Sequence, residues 1–124
     1  MRDKIVYISG AITNQHPDHV RRVFAQAELQ LIRQGYQVVN PLTLVHDHDQ
    51  SWEEFMEVDL RALFKCDAIY MLSNWKKSRG ARIERAIAKE MGKEIIYETA
   101  PSRLWSIKRL LLGRDIKRRE VSHA

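Results

Sequence analysis

The sequence is poor in the features that mark secreted and membrane proteins. Its only cysteine, Cys66, cannot form an internal disulfide, and this fits a reducing compartment. No apolar run approaches the roughly 18 residues that a membrane span needs. The first residues do not form a signal-peptide pattern. These absences predict a cytoplasmic protein that does not contact a membrane.

Three sequence signatures of common enzyme classes are also missing. The chain contains neither the GxGxxG nor the Walker pattern, so the sequence does not support phosphate binding by either of those two loops. It contains no nucleophile elbow for a catalytic serine. Cys66 has no evident histidine partner in the sequence, which argues against a thiol nucleophile.

The positive charge is concentrated near the C-terminus. Residues 103–124 carry seven Lys or Arg and two acidic residues, which accounts for the whole formal net charge of +5. A basic excess confined to one segment favours a solvated or subunit-packing tail over a nucleic-acid-binding face. The distribution is compatible with a phosphate-bearing small molecule as ligand and requires no nucleic-acid polymer.

Short apolar runs alternate with segments of helical periodicity. One helix begins with a capping box formed by Ser51 and Glu54. The predicted strands are residues 5–9, 36–39, 68–72 and 94–97, and the predicted helices are residues 17–33, 52–64, 80–91 and 101–112. This alternation predicts right-handed βαβ units and a parallel sheet.

The length and composition suit one globular unit. With 124 residues, 44% of them hydrophobic, the chain can bury one core. We therefore expect a single α/β domain over residues 1–113, followed by a basic C-terminal tail over residues 114–124. The domain should hold a doubly wound, Rossmann-like or flavodoxin-like parallel sheet of four or five strands.

In such sheets the ligand lies beyond the carboxyl ends of the strands. That rule selects residues 7–13, 40–42 and 73–84. Tyr7 lies near the end of an aliphatic strand, where its hydroxyl can point at a ligand or simply lie in the core. Residues 78–84 run from a loop into a helix N-terminus, which attracts anions such as phosphate. Glu84 can act on that ligand, complement the helix dipole or pair with an arginine.

Two aspartates and a histidine-rich loop leave alternatives open. Asp59 and Asp67 are eight residues apart, just over two helical turns, so both carboxylates can lie toward one side. Asp67 directly precedes a strand, which is typical of a cap or turn. The His-Asp-His-Asp run at residues 46–49 offers no third fixed ligand, so we predict no metal site. Trp75 can wall a bound base or lie in the core.

Four short motifs lie in a fixed order between residues 4 and 98. The motifs are Tyr7-Ile8-Ser9-Gly10, Asn40-Pro41, Asp59-Leu60 with Asp67 eight residues on, and Gly80-x-x-x-Glu84. Their order and spacing resemble those of the nucleoside 2-deoxyribosyltransferase superfamily. The resemblance implies the doubly wound fold that the alternation already predicts.

The resemblance also implies catalytic roles for three residues. Glu84 matches the family's glutamate, which attacks the anomeric carbon of deoxyribose and forms a glycosyl-enzyme ester. Tyr7 matches the tyrosine whose hydroxyl holds that carboxylate in position. Asp59 matches the aspartate that gives a proton to the departing base and then helps to activate water.

Ser78 favours one branch of that superfamily. The transferases carry a base-contacting aspartate six residues before the nucleophile, whereas this chain has Ser78 there. The deoxynucleoside 5'-monophosphate N-hydrolases have a serine at that place, where it contacts the 5'-phosphate. The resemblance therefore implies a hydrolase that cleaves the N-glycosidic bond of a 2'-deoxynucleoside 5'-monophosphate. A deoxyribosyltransferase and a non-catalytic nucleotide-binding module are the alternatives.

The family completes its site with a residue from a neighbouring subunit's C-terminal segment. Ser102 is the candidate for that residue here, so we expect a homodimer or a larger homo-oligomer. We expect no metal and no cofactor, and the sequence leaves the recognised base open. The expected substrate-binding residues are Ser9, Gly10, Ile12, Asn40, Pro41, Trp75, Ser78 and Gly80.

Overall fold

The fold is a single α/β unit built on a parallel sheet. A computed structural model describes residues 3–47 and 49–99. Four strands lie in this part of the chain, β1 (Ile5–Ser9), β2 (Gln37–Val39), β3 (Ala68–Met71) and β4 (Glu94–Tyr97). They pair in the order β2-β1-β3-β4, and every pairing is parallel. This is the strand order of a flavodoxin-like, doubly wound sheet. The alternation of strands and helices predicted a doubly wound parallel sheet, Rossmann-like or flavodoxin-like, and left the strand order open.

Three helices connect these strands, α1 (Pro17–Arg33), α2 (Trp52–Phe64) and α3 (Arg79–Glu90). The predicted capping box of α2 is confirmed, because the Ser51 hydroxyl accepts from the Glu54 amide and the Glu54 side chain accepts from the Ser51 amide. Helix α3 begins one residue earlier than predicted because Ser78 caps it, its hydroxyl accepting from the Ala81 amide. None of the helices in residues 3–47 and 49–99 is long and apolar enough to cross a membrane.

The two faces of the sheet are covered by different helices. Even-numbered residues of β1 and β3, such as Val6 and Tyr70, form one buried cluster with α1. Odd-numbered residues, such as Tyr7 and Ile69, form a second buried cluster with α2 and α3. Side chains of a strand alternate between its faces, so β1, which is covered on both faces, contributes to both cores.

The switch point of the sheet lies between β1 and β3. The chain leaves β1 toward β2 on one side and later returns to β3 on the other side. Loops that follow β1 and β3 therefore diverge and leave a crevice at their carboxyl ends. The Ala11 amide donates to Asn74 Oδ1 over 3.1 Å and joins these two loops at the base of the crevice.

Several sequence predictions concern residues outside the described part of the chain. They include the helix over residues 101–112, the domain limit at residue 113, the basic tail over residues 114–124 and the intersubunit role of Ser102. The strands themselves are shorter than predicted by one residue at two ends. Strand β2 begins at Gln37 and strand β3 ends at Met71.

Candidate active site

A buried carboxylate from α3 meets two hydroxyl groups of β1. The Tyr7 hydroxyl donates to Glu84 Oε2 over 2.8 Å, and the Ser9 hydroxyl donates to Glu84 Oε1 over 2.6 Å. Both oxygens of the carboxylate are thereby fixed. Glu84 is only 5% exposed, and Tyr7 and Ser9 are fully buried.

The strand period explains how β1 supplies both donors. Tyr7 and Ser9 are two residues apart, so their side chains leave the same face of the strand, the face that α3 covers. Glu84 is the sixth residue of α3, beyond the first turn where a carboxylate complements the helix dipole most strongly. Among the described residues it forms no ion pair with lysine or arginine. In the described residues, therefore, Glu84 neither complements the dipole from the first turn of α3 nor pairs with an arginine.

The protonation of Glu84 reflects opposing influences. The pKa of Glu84 is raised from 4.5 to about 7, mainly by burial and to a smaller extent by nearby Asp59, while the hydrogen bonds from Ser9 and Tyr7 oppose the rise. Burial also raises the pKa of the Tyr7 hydroxyl well above 10, with Glu84 as the next cause. Tyr7 thus remains a hydrogen-bond donor at neutral pH, and the Glu84 carboxyl group can gain or lose a proton near neutral pH.

Asp59 is the second carboxylate of the site and bonds to a histidine. It lies on α2 and is only 9% exposed. His46 Nε2 lies 2.8 Å from Asp59 Oδ1, and the His46 ring stacks on Phe55 with ring centroids 4.8 Å apart. Burial raises the pKa of Asp59, and the hydrogen bond and charge of His46 oppose that rise.

Asp67 does not join this site. Its Oδ2 accepts from the Ile5 amide over 2.8 Å, at the amino ends of β1 and β3. The site lies at the opposite, carboxyl ends of these strands. The interpretation of Asp67 as a residue that fixes the chain before a strand therefore matches its contact.

Glu84 and Asp59 both line one pocket of about 640 Å³. A volume of this order is typical of sites for small molecules. Loop residues after β1, the start of α2 and the start of α3 form its walls. The lining residues are Gly10, Ile12, Thr13, Asn14, Gln50, Trp52, Phe55, Met56, Asp59, Lys77, Ser78, Arg79, Gly80, Ala81 and Glu84.

The structure brings some predicted binding residues to this pocket and places others elsewhere. Gly10, Ile12, Ser78 and Gly80 line it. Ser9 lies behind its wall, where it binds Glu84 instead of facing the ligand space.

Asn40, Pro41 and Trp75 are not among the pocket-lining residues. The Asn40 side chain caps the short 3-10 helix Pro41–Thr43 and donates to Glu28. Trp75 packs against the core on the α3 side, with the Arg85 guanidinium 4.9 Å from its ring centroid. Trp75 begins the 3-10 helix Trp75–Lys77, and it is the last residue of that helix, Lys77, that lines the pocket.

Two cations lie at the pocket wall near the N-terminus of α3. Lys77 and Arg79 line the pocket on either side of Ser78. The Arg79 guanidinium lies 4.1 Å from the centre of the Trp52 ring, a cation–π contact that joins the starts of α2 and α3. This side of the pocket is therefore positively charged, whereas Glu84 and Asp59 supply acidic groups deeper in the pocket wall.

Metal-binding groupings are absent from the described part of the chain. No set of three or more His, Cys, Asp or Glu residues is placed there to hold a metal ion. In the run at residues 46–49, His46 bonds to Asp59, and His48 lies outside the described residues. The Cys66 thiol is buried, and burial raises its pKa to about 11. It is therefore protonated at neutral pH and unsuited to act as a nucleophile.

The comparison with known families adds a classification. A family model described as a domain of unknown function, DUF4406, matches residues 4–97. The chain belongs to this family. No curated protein matches the chain. The match of this DUF4406 domain spans all four strands and the three helices between them, and it includes Tyr7, Asp59 and Glu84.

Sequence reasoning missed several contacts in the DUF4406 domain. The pairing of Ser9 with Glu84 could have been predicted, because side chains two residues apart in a strand lie on the same face, which places Ser9 beside Tyr7. His46 carried no such signal, because its contact with Asp59 depends on how the loop after β2 folds back over α2. The apolar pocket wall of Trp52, Phe55 and Met56 was hidden because these residues also fit the core face of a helix.

Proposed function

We propose that this protein hydrolyses the N-glycosidic bond of a 2'-deoxynucleoside 5'-monophosphate through a covalent ester between the sugar and Glu84. The observation that carries the proposal is the Glu84 carboxylate, which is buried in a pocket wall and held at both oxygens by Tyr7 and Ser9. An oriented carboxylate without a cationic partner is suited to attack an electron-poor carbon. A carboxylate with only a structural role would not stabilise the fold from this position, because burying its charge costs free energy.

The proposed reaction has two steps. Glu84 attacks the anomeric carbon while Asp59 protonates the departing base. Water then attacks the glycosyl ester and releases deoxyribose 5-phosphate, with Asp59 accepting the proton of the water. Dividing the displacement in this way replaces one difficult step with two easier ones.

Contacts at the start of α3 support the choice of a monophosphate. The helix N-terminus, Lys77 and Arg79 together favour an anion at this side of the pocket. The Ser78 oxygen accepts from the Ala81 amide over 3.1 Å, and its own proton is free to be donated to a phosphate oxygen. Ser78 can thus cap α3 and bind a ligand at once.

The start of α2 offers a surface for the base. Trp52, Phe55 and Met56 line the pocket with aromatic and thioether groups, and purine or pyrimidine rings stack well on such side chains. None of these three residues carries a donor–acceptor pattern that selects one base. We therefore propose the substrate class without naming the base.

The direct test is incubation with dAMP, dGMP, dCMP and dTMP, followed by chromatography of free base. At least one of them should release base, and Glu84→Gln should lower that rate by orders of magnitude while binding persists. Glu90→Gln is the matched control, because Glu90 is exposed on the same helix. Mass spectrometry of trapped wild-type protein should find a deoxyribosyl adduct on the peptide that contains Glu84.

Two outcomes would favour the rival functions. Formation of a new nucleoside when a second free base is added would identify a deoxyribosyltransferase. Near-normal base release by Glu84→Gln would rule out the ester mechanism. Tight nucleotide binding without base release by the wild-type protein would leave a non-catalytic binding module.

We also propose that the protein works in the cytosol as a homo-oligomer. Phe64 at the end of α2 is 47% exposed, and an apolar side chain there can contribute to a contact with a second copy. Light scattering at micromolar concentration should give at least twice the chain mass of 14.6 kDa. A monomer would argue against a site completed by a neighbouring subunit.

A further inference from the structure

We propose that His46 is a positioning residue that must be positively charged for Asp59 to act as the acid of the reaction. The inference rests on the proposed function, because it assigns the source of the proton that the departing base receives. Its basis is the two polar contacts of the His46 ring, with the Leu44 carbonyl oxygen and with Asp59 Oδ1, and the number of protons that these contacts require.

The first contact fixes one ring nitrogen. His46 Nδ1 lies 3.1 Å from the Leu44 carbonyl oxygen. A carbonyl oxygen only accepts, so Nδ1 must carry a hydrogen in every protonation state that keeps this bond. The stacking of the ring on Phe55, at an angle of 21° between the planes, holds the same orientation.

The second contact then needs its own proton. His46 Nε2 lies 2.8 Å from Asp59 Oδ1. If Asp59 holds that proton on Oδ1, the proton points at the ring and is not available to a ligand. If Nε2 holds it, the histidine is an imidazolium and Oδ1 is an acceptor.

Only the second arrangement allows an acidic proton on the other oxygen. Asp59 lines the pocket, and its Oδ2 makes no hydrogen bond among residues 3–47 and 49–99. A neutral His46 combined with a proton on Oδ2 would place two acceptors 2.8 Å apart, an electrostatically unfavourable contact. The form that can give a proton to a base therefore contains a charged His46 and a protonated Asp59.

This arrangement balances both steps. In the first, a carboxylate oxygen of Glu84 bonds to the anomeric carbon, and the electrons of the C–N bond go to the base. The base takes the proton of Asp59 Oδ2, which leaves an Asp59 carboxylate paired with the imidazolium. In the second, the water oxygen bonds to the anomeric carbon, the ester bond to Glu84 breaks and the water proton returns to Oδ2. His46 keeps both its protons throughout.

The charged surroundings of the pair set its pH response. Glu84 from α3 and Tyr7 from β1 lie near enough to Asp59 to interact with it electrostatically. Lys77 and Arg79 line the same pocket from the start of α3, and Asp47 neighbours His46 in the loop. The acidic groups favour retention of protons by the pair, and the two cations oppose it.

The test compares pH profiles of base release by two His46 variants. In the wild-type protein the rate should fall as pH rises and the hydrogen-bonded pair of His46 and Asp59 loses a proton. His46→Gln keeps an N–H donor near Oδ1 that cannot titrate, so this descending limb should move to the pH at which Asp59 alone loses its proton, while the maximal rate stays within about tenfold. His46→Phe keeps the stacking but removes the donor, and should slow base release by roughly 10- to 150-fold. His19→Gln, an exposed histidine on α1, is the control.

A measurement without substrate separates this proposal from the proposed function. Nitrogen-15 NMR of the unliganded wild-type protein should show His46 Nδ1 protonated at all pH values and Nε2 as the titrating nitrogen. A deprotonated Nδ1, or a descending limb unchanged in His46→Gln, would overturn the role of His46. Absence of base release by the wild-type protein would instead overturn the proposed function.

Discussion

The Ser9 hydroxyl oxygen lies 2.6 Å from Glu84 Oε1, although 75 residues separate the two in the chain. Ser9 ends the first strand, and Glu84 points at it from the helix that follows the third strand. Because Tyr7 binds the other oxygen, the carboxylate plane is fixed before any ligand arrives. A nucleophile held in this way needs little reorganisation to attack, which is a known source of catalytic rate.

Removing the Tyr7 hydroxyl should weaken catalysis without unfolding the protein. Tyr7→Phe keeps the buried ring but deletes the hydrogen bond to Glu84 Oε2. A hydrogen bond to a charged group contributes about 1.5–3 kcal/mol, so kcat/KM for the best monophosphate should fall roughly 10- to 150-fold at pH 7. The pKa of Glu84 should also rise, and the ascending limb of the pH profile should shift to higher pH.

Tyr70→Phe is the matched control for this prediction. Tyr70 is also buried, but it lies on the face of the sheet that α1 covers. Its substitution should leave kcat/KM and the ascending limb unchanged. Equal losses in both variants would mean that Tyr7 acts only through core packing.

The stability of the protein should decrease between pH 5 and pH 7 because of Glu84. The pKa of Glu84 is about 7 in the folded protein against 4.5 for an ordinary glutamate. Between these values the folded protein retains a proton that the unfolded chain has lost, so the stabilising contribution is complete below 4.5 and is lost as pH rises toward 7. The shift corresponds to roughly 3 kcal/mol.

Urea denaturation at several pH values checks this effect. The free energy of unfolding of Glu84→Gln should depend less on pH over this range than that of the wild-type protein. At pH 8 the variant should be at least as stable as the wild type, since it buries no charge. Parallel pH dependences of the two proteins would contradict the raised pKa. Asp59, whose pKa burial also raises, contributes in the same direction in both proteins.

The fold was predictable because it depends on local patterns. Strand β3 is an unbroken apolar run, α2 carries its own capping box, and Gly35 and Gly92 at positive φ close two helices. Each of these signals lies within a few neighbouring residues. The right-handedness and short connections of βαβ units then restrict the strand order to a few possibilities, and the Rossmann-like and flavodoxin-like orders both fit the sequence.

The site was predictable only in part, because it joins distant segments. Strand alternation places Tyr7 and Ser9 on one face, and the rule on carboxyl ends of parallel strands brings Glu84 near them. No local pattern predicts that His46 reaches Asp59 or that Trp75 turns toward Arg85. Such contacts depend on the path of irregular loops, where neither hydrophobic periodicity nor secondary-structure propensity constrains the chain.

The charge at the start of α3 should govern affinity for a phosphate. Arg79→Gln removes a cation that lines the pocket and stacks on Trp52. Measured by calorimetry on Glu84→Gln protein, which should bind without turnover, the Kd for the monophosphate should rise roughly 10-fold or more. The Kd for the corresponding nucleoside should change much less.

Arg82→Gln provides the comparison for Arg79. Arg82 is exposed in the same helix, and its guanidinium donates to the Lys76 carbonyl over 2.7 Å. It is not among the pocket-lining residues. Equal effects of the two substitutions would indicate general electrostatic attraction in place of a phosphate contact. Raising the salt concentration should then weaken both variants alike.

Gly10 should not tolerate a side chain, whereas Gly80, which lines the same pocket, should. A Cβ at Gly10 would lie 2.5 Å from Leu72 Cδ1 and 2.9 Å from Leu72 Cβ, and Leu72, the residue directly after β3, is buried. The clash involves the rigid part of a core side chain, so relief requires movement of the strand ends. Overpacking of this kind typically costs about 1–3 kcal/mol.

Gly10→Ala should therefore lower the urea midpoint and also disturb catalysis, because the strand end it displaces carries Ser9. Gly80→Ala is the informative partner, since Gly80 lines the same pocket but its added Cβ would come close to the flexible Met56 side chain, 3.1 Å from the sulfur, and would lie at ordinary contact distance, 3.9 Å, from Ser78 Oγ. Gly80 also lies in α3, where alanine is favoured over glycine by about 1 kcal/mol. Its variant should be as stable as the wild type or slightly more so. A Gly10→Ala protein with an unchanged urea midpoint would show that Leu72 can move, and the close approach of the two strand ends would then not be needed to place Ser9 against Glu84.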